Sequence, residues 1–214
     1  MIRRRGNDEI RMTNDEARLM KCSRRVLFDI RHSSSFVRRA FTLIELIVVV
    51  AIIIVLAGLV LSTVGYVQKK GARSRAETEI AAMSAACESY KADNGIYPRD
   101  PTTDALNARA TGDPTAYQTA SLYLYNALFG ATNGSRTPAG GARSYFVFKP
   151  NMLSPADQTQ NVQYIRDPFG NSYGYSTIQA ATGDTTKGYN PTFDLWSTAG
   201  LTSGTDSTQW IKNW

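Results

Sequence analysis

The stretch from Phe41 to Leu61 constrains the fold more than any other part of the sequence, because its residues are apolar apart from Thr42, Glu45 and Gly58. A helix of these 21 residues spans about 30 Å at 1.5 Å per residue, which is the thickness of a bilayer's hydrocarbon core. The sequence therefore predicts a membrane-spanning helix. Its one ionisable group, Glu45, lies near the beginning of the span.

Two simpler explanations of this apolar run compete at this point. An ordinary membrane anchor can carry a carboxylate near its edge if the side chain reaches back to the membrane surface. A secretory signal peptide is also apolar, but this run is longer than a typical signal core and no Ala-x-Ala site follows it. The segments on either side of the run decide between these readings.

The helical pattern continues beyond Leu61. Apolar residues recur there at spacings of three and four, at Ile80, Met83, Cys87 and Tyr90, which places one apolar stripe on an otherwise polar helix. Asn94-Gly95 is a typical helix end. The pattern predicts one helix from about Thr42 to about Asp93.

The remainder of the chain is predicted to form a small sheet with a loop and a short helix before it. Residues 99–120 resemble a loop, and Leu122 to Phe129 fit a short helix closed by Gly130. Three aromatic or β-branched segments are bounded by turn residues. They are Tyr145–Lys149, Tyr173–Thr177 and Phe193–Ser197. The predicted fold class is α+β, with the long helix packed on a small antiparallel sheet.

Charge and chemistry argue against two function classes. The net charge of +6 comes from residues 1–40, which hold eleven Lys or Arg against five Asp or Glu, so a basic surface for nucleic acid is not expected. Met20 within these residues is an alternative start of the chain. The single histidine, His32, also lies in this basic leader. Residues 41–214 therefore lack the histidine of a catalytic triad. A membrane-tethered enzyme or binding module is therefore the least favoured interpretation. Cys87 is expected to be a buried apolar residue.

The junction of leader and span carries the most specific motif. Arg38-Arg39-Ala40-Phe41-Thr42-Leu43-Ile44-Glu45 resembles the signal that prepilin peptidases read in the type IV pilin superfamily. The resemblance implies cleavage between Ala40 and Phe41, N-methylation of Phe41, and assembly through Phe41 and Glu45. The physical cost of a carboxylate in hydrocarbon agrees, since an intramembrane Glu needs a partner. The new amine of a neighbouring subunit would be that partner.

Further segments resemble one branch of this superfamily, the major pseudopilins of type II secretion. They are Tyr90–Pro98, Asp167–Tyr173, Phe193–Ser197 and the closing Asn213-Trp214. The resemblance implies a homopolymeric pseudopilus, processing by a prepilin peptidase, and partners in the inner-membrane assembly platform and among the minor pseudopilins. It also implies a single pass through the inner membrane with the head in the periplasm. A minor pseudopilin or a surface type IV pilin used in adhesion, motility or DNA uptake is the alternative.

The same resemblance implies a calcium site in the loop after the Phe193–Ser197 strand. Asp206, helped by Asp194, is the candidate ligand set, because calcium prefers several oxygen ligands. The alternative is a loop held by hydrogen bonds and by packing of Trp210 and Trp214 on the sheet.

The predicted organisation has five parts. Residues 1–40 form a cytoplasmic leader that is removed, and 41–61 form the transmembrane half of the helix. Residues 62–94 form its periplasmic half, 95–144 a variable loop with a short helix, and 145–214 the sheet and C-terminal loop.

Overall fold

The computed structural model describes residues 41–214, except for the side chains of Ser62 and Thr63. The leader, with the predicted cleavage residue Ala40 and with His32, lies outside the described residues. The chain divides into two units, residues 1–51 and 52–214. In the first unit, the described residues begin at Phe41 and open helix α1, which is assigned over Leu43–Asn94. All of the described residues of this first unit are exposed.

In the second unit, α1 ends where the sequence predicts. Gly95 adopts φ +79° and its N–H donates to the carbonyl of Lys91 at 2.7 Å. This left-handed conformation has little steric cost for glycine and satisfies one of the carbonyls that a helix end leaves open. The predicted end of the long helix is confirmed.

The apolar stripe of α1 lies on the core of the second unit. Ile80, Met83 and Cys87 are buried, and Tyr90 packs against the same cluster. Burial of each such side chain contributes roughly 1.5–3 kcal/mol. The predicted stripe and the buried Cys87 are confirmed, and burial raises the pKa of the Cys87 thiol.

Two further helices and two 3₁₀ turns, one of them Pro150–Met152, precede the first strand. Helix α2 spans Pro101–Ala105, a 3₁₀ turn spans Pro114–Tyr117, and α3 spans Gln118–Phe129. The predicted loop over 99–120 is therefore wrong in part. Asp100 caps α2 through the N–H groups of Thr102 and Thr103, and the Thr103 hydroxyl accepts from the Asp100 N–H. This reciprocal capping makes a five-residue helix viable despite its short length.

The strands form two antiparallel sheets. Strand β1 (Leu153–Ser154) pairs with β2 (Tyr164–Ile165), and β4 (Asp194–Ser197) lies between β3 (Gly174–Ser176) and β5 (Ile211–Lys212). The predicted strands at 173–177 and 193–197 are confirmed. Strands β1, β2 and β5 have two residues each, too few to show a period of two in the sequence. A short helix α4, Ile178–Thr182, follows β3.

The predicted strand Tyr145–Lys149 is wrong. The N–H groups of Tyr145 and Phe146 both donate to the carbonyl of Leu128, at 2.7 and 3.1 Å, near the end of α3. A helix end leaves such carbonyls without internal partners, so this segment is bonded to α3 instead of to a strand. Its aromatic rings pack on the helices, with Tyr145 against Tyr90 and Phe148 against Tyr125. Aromatic enrichment here reflects that packing.

Two polar contacts join α1 and the segment that follows it to β3 and the residue before it. The hydroxyl of Tyr173 donates to Glu79 on α1 at 2.8 Å, and the hydroxyl of Tyr175 donates to the carbonyl of Pro98 at 2.7 Å. Burial raises the pKa of both phenols. A second cluster lies on the other side of β4. It contains Ala108, Tyr117, Trp196 and Trp210.

Candidate assembly segment and C-terminal loop

The predicted assembly residues lie at the start of α1. Phe41 is 81% exposed, and Glu45 is in the first turn of the helix. The carboxylate of Glu45 accepts from the backbone N–H of Thr42 at 2.9 Å and from its hydroxyl at 2.8 Å. The Thr42 hydroxyl accepts in turn from the Glu45 N–H at 3.3 Å. These contacts form a reciprocal helix cap.

Sequence reasoning missed this cap. The signal was present, since Thr42-x-x-Glu45 before an apolar run is the pattern of a capping box. The cap gives Glu45 a local role in starting the helix besides any role between subunits. It also holds the carboxylate at the N–H of Thr42, the residue that follows Phe41. An ionised carboxylate has about four acceptor sites, so these contacts leave Glu45 able to accept from a further donor.

The apolar residues that follow are not covered by any of the described residues 41–214. Helix α1 is long and apolar enough to cross a membrane, which is compatible with a single-pass anchor. Ile44, Ile54 and Leu61, for example, are 70%, 65% and 74% exposed. An exposed apolar surface of this extent needs lipid or neighbouring helices around it.

The two predicted calcium ligands lie in different elements, because Asp194 is the first residue of β4 and Asp206 caps the 3₁₀ turn Ser207–Gln209. Both oxygens of Asp194 accept backbone N–H groups, from Tyr189 at 2.9 Å and Asn190 at 2.8 Å. Burial raises the pKa of Asp194 although these bonds act in the opposite direction. Asp206 is exposed and accepts from the Thr208 N–H at 2.9 Å, a bond that lowers its pKa.

The loop between these residues is closed by hydrogen bonds. The carbonyl of Leu201 accepts from the Thr198 hydroxyl at 2.6 Å and from the Asn171 amide at 3.3 Å. Trp210 is buried and stacks on Trp196, and Trp214 stacks on Tyr189 with ring centres 4.4 Å apart. Within residues 41–214 the structure has no group of three or more His, Cys, Asp or Glu placed to hold a metal. Calcium binding by Asp206 and Asp194 stays a prediction. The hydrogen bonds of Leu201 and the packing of Trp210 and Trp214 are the contacts expected if the loop is held without calcium.

The turn before β3 holds a buried carboxylate that the sequence did not single out for this role. Asp167 accepts from the N–H groups of Phe169 and Asn171 and from the Ser197 hydroxyl at 3.0, 2.8 and 2.5 Å. Burial raises its pKa, and the hydrogen bonds act against that rise. Asp167 thereby ties its turn to the end of β4.

The aromatic residues of the 3₁₀ turn Pro114–Tyr117 and of α3 are buried or partly buried. Tyr117 and Tyr125 are buried, and Phe129 packs against the main cluster. The Tyr123 hydroxyl donates to the carbonyl of Arg99 at 2.8 Å. No ligand site is assigned to them, in agreement with their helical spacing in the sequence.

A long N-terminal apolar helix with a small antiparallel sheet is an α+β, pilin-like arrangement. The sequence is similar to the type II secretion system core protein G of several bacteria. It is 37% identical over 78 residues to that of Pectobacterium carotovorum subsp. carotovorum, covering 36% of this chain and 49% of the relative. It is 36% identical over 80 residues to that of Vibrio cholerae, covering 36% of this chain and 55% of the relative. It is 34% identical over 80 residues to that of Klebsiella pneumoniae, covering 37% of this chain and 57% of the relative.

The chain thus spans about half the length of the curated relatives it matches. No protein-family model matches it, and no solved structure matches it significantly. The resemblance predicted from the motifs is confirmed by these relatives over about a third of the chain.

Proposed function

We propose that this chain is the major structural subunit of a type II secretion pseudopilus and is not an enzyme. The observation that carries the proposal is the apolar opening of α1, which begins with Phe41-Thr42-Leu43-Ile44-Glu45 and is left exposed by the described part of the chain. A helix of this kind is stabilised by packing beside copies of itself. The similarity to core protein G supports secretion as the process that the polymer serves.

The proposed assembly mechanism uses the pair Phe41 and Glu45. A prepilin peptidase removes the leader and creates a cationic amine at Phe41, which is then methylated. The Glu45 carboxylate of one subunit accepts a hydrogen bond from the amine of its neighbour, so both charges are neutralised as the helices pack. Thr42 holds that carboxylate at the helix start before assembly.

The proposed location follows from the span. The chain crosses the inner membrane once, with its leader in the cytoplasm and its sheet-bearing head in the periplasm. The charge asymmetry supports this orientation, because residues 21–40 carry six Lys or Arg and residues 62–81 carry four. The inner-membrane assembly platform, the minor pseudopilins and the prepilin peptidase are the proposed partners.

Deletion of the gene tests the proposed process. We expect secreted proteins to accumulate in the periplasm, and export to return when the chain is supplied from a plasmid. Surface motility, adhesion and DNA uptake should be unchanged, as measured in the same strains. Normal export together with lost motility, adhesion or DNA uptake would instead identify a surface type IV pilin, and normal fibres without export would indicate a minor role.

Cleavage between Ala40 and Phe41 is the second prediction. The mature chain should begin with N-methylated Phe41, because Phe41 directly follows the small residue that ends the basic leader. Mass spectrometry of protein extracted from membranes measures this directly, and a strain lacking the peptidase provides the control. An intact leader in cells that contain an active prepilin peptidase would contradict the prediction.

A further inference from the structure

A cluster of cations follows the apolar segment of α1 closely. Lys69, Lys70 and Arg73 come within twelve residues of Leu61, and Lys69 lies about 12 Å further along the helix axis. The headgroup layer adds roughly 5–8 Å to each side of the hydrocarbon core. Lysine side chains can reach back toward the membrane surface along their own stems. The ammonium groups of Lys69 and Lys70 therefore lie within reach of the lipid headgroups.

The cations of this segment differ in their partners. Arg73 pairs with Glu77 at 3.4 Å and donates to the carbonyl of Gln209 at 2.9 Å, and Arg75 pairs with Glu79 at 3.4 Å. Lys69 and Lys70 are exposed and form no salt bridge with a carboxylate of residues 41–214. Two adjacent positive charges thus remain without a counter-charge in the described part of the chain.

These lysines line a groove between α1 and the loops of the sheet. The groove has a volume of about 410 Å³ and contains Tyr66, Phe169 and Ala199 besides the cations. Tyr66 is 70% exposed, at a position where aromatic residues commonly mark the membrane interface. The groove therefore combines an apolar lining with a cationic rim, which matches the first acyl carbons and the phosphate of a lipid.

We propose that this groove binds the headgroup of an anionic phospholipid in the leaflet nearest the head. The inference rests on the proposed membrane location of residues 41–61. Positive charge just outside the span is disfavoured on the translocated side, so Lys69 and Lys70 need a compensating interaction. An anionic headgroup supplies it and orients the head relative to the membrane surface.

The test uses the full chain purified in a neutral detergent, with bound lipid counted by native mass spectrometry. The chain should retain phosphatidylglycerol in preference to phosphatidylcholine. A Lys69→Gln/Lys70→Gln double variant should bind phosphatidylglycerol roughly 10- to 30-fold more weakly, because two near-surface cations are lost. A Lys149→Gln/Lys187→Gln variant removes the same charge from exposed positions elsewhere and should bind as the unaltered chain does.

Each other outcome would overturn the proposal. Equal phosphatidylglycerol binding by both double variants would remove the groove as its site. Competition by glycerol phosphate at the same concentration as the lipid would identify a site for free phosphate. The Lys69→Gln/Lys70→Gln variant could also bind lipid normally but lose cross-linking between copies. That result would show that carboxylates of a second copy occupy the groove. Alkaline extraction of the membranes checks insertion separately, so a failed membrane location is distinguished from a failed lipid site.

Discussion

The Glu45→Leu variant should insert, and its head should fold normally, but it should yield on the order of a hundredfold fewer fibres, or none. Removal of a charge from a spanning helix lowers the cost of insertion. In the packed helices, however, the amine of Phe41 would have no carboxylate partner. Electron microscopy and cross-linking of fibres from cells that overproduce the variant measure this effect.

The capping contacts of Glu45 make a sharper control possible. A Glu45→Gln side chain can still accept from the Thr42 N–H, because Gln also serves in a capping box, but it carries no charge. If the charge pairs with the amine of a neighbour, the Glu45→Gln variant should fail as the Glu45→Leu variant does. The Glu45→Asp variant should be intermediate, since its carboxylate is one methylene shorter. Normal fibres from Glu45→Gln would limit Glu45 to the helix cap, and the assembly role would be withdrawn.

Trp196→Ala should lower the free energy of unfolding of the head by about 3–5 kcal/mol. Trp196 lies on the central strand β4, is fully buried, and contacts Tyr117 and Trp210 with ring centres 5.0 and 6.1 Å away. Its removal leaves a cavity that these rings cannot fill without moving. Denaturation of the full chain in detergent, followed by near-ultraviolet circular dichroism, measures the change. Val147→Ala is the control, because the Val147 side chain is 78% exposed. This substitution should change the free energy of unfolding by less than about 0.5 kcal/mol.

Gly174 provides a second check on the same packing. A Cβ atom at Gly174 would stand 2.2 Å from the ring of Trp196, so Gly174→Ala should destabilise the head by roughly 1–3 kcal/mol. In the Trp196→Ala background the indole ring is absent, so Gly174→Ala should lower the free energy of unfolding much less. Additive effects in this double-mutant cycle would contradict the packing of the ring on the glycine.

The sequence by itself determined the features that depend on neighbours along the chain. The apolar run from Phe41 predicts the span, the three-and-four spacing of Ile80, Met83 and Cys87 predicts the buried face, and Asn94-Gly95 predicts the helix end. The similarity to core protein G agrees with the motif at Ala40 to Glu45. The cap between Thr42 and Glu45 could also be predicted from the sequence, because it joins residues only three positions apart.

Only the tertiary structure decided which residues meet from distant positions. Tyr145–Lys149 has a strand-like composition, yet its backbone bonds to Leu128 at the end of α3. Strands β1, β2 and β5 depend on partners elsewhere in the chain and are too short to show a pattern alone. The groove that joins Lys69 and Lys70 to Phe169 and Ala199 brings together residues about 100 or more positions apart. Such contacts depend on how the elements pack, and local periodicity carries no information about them.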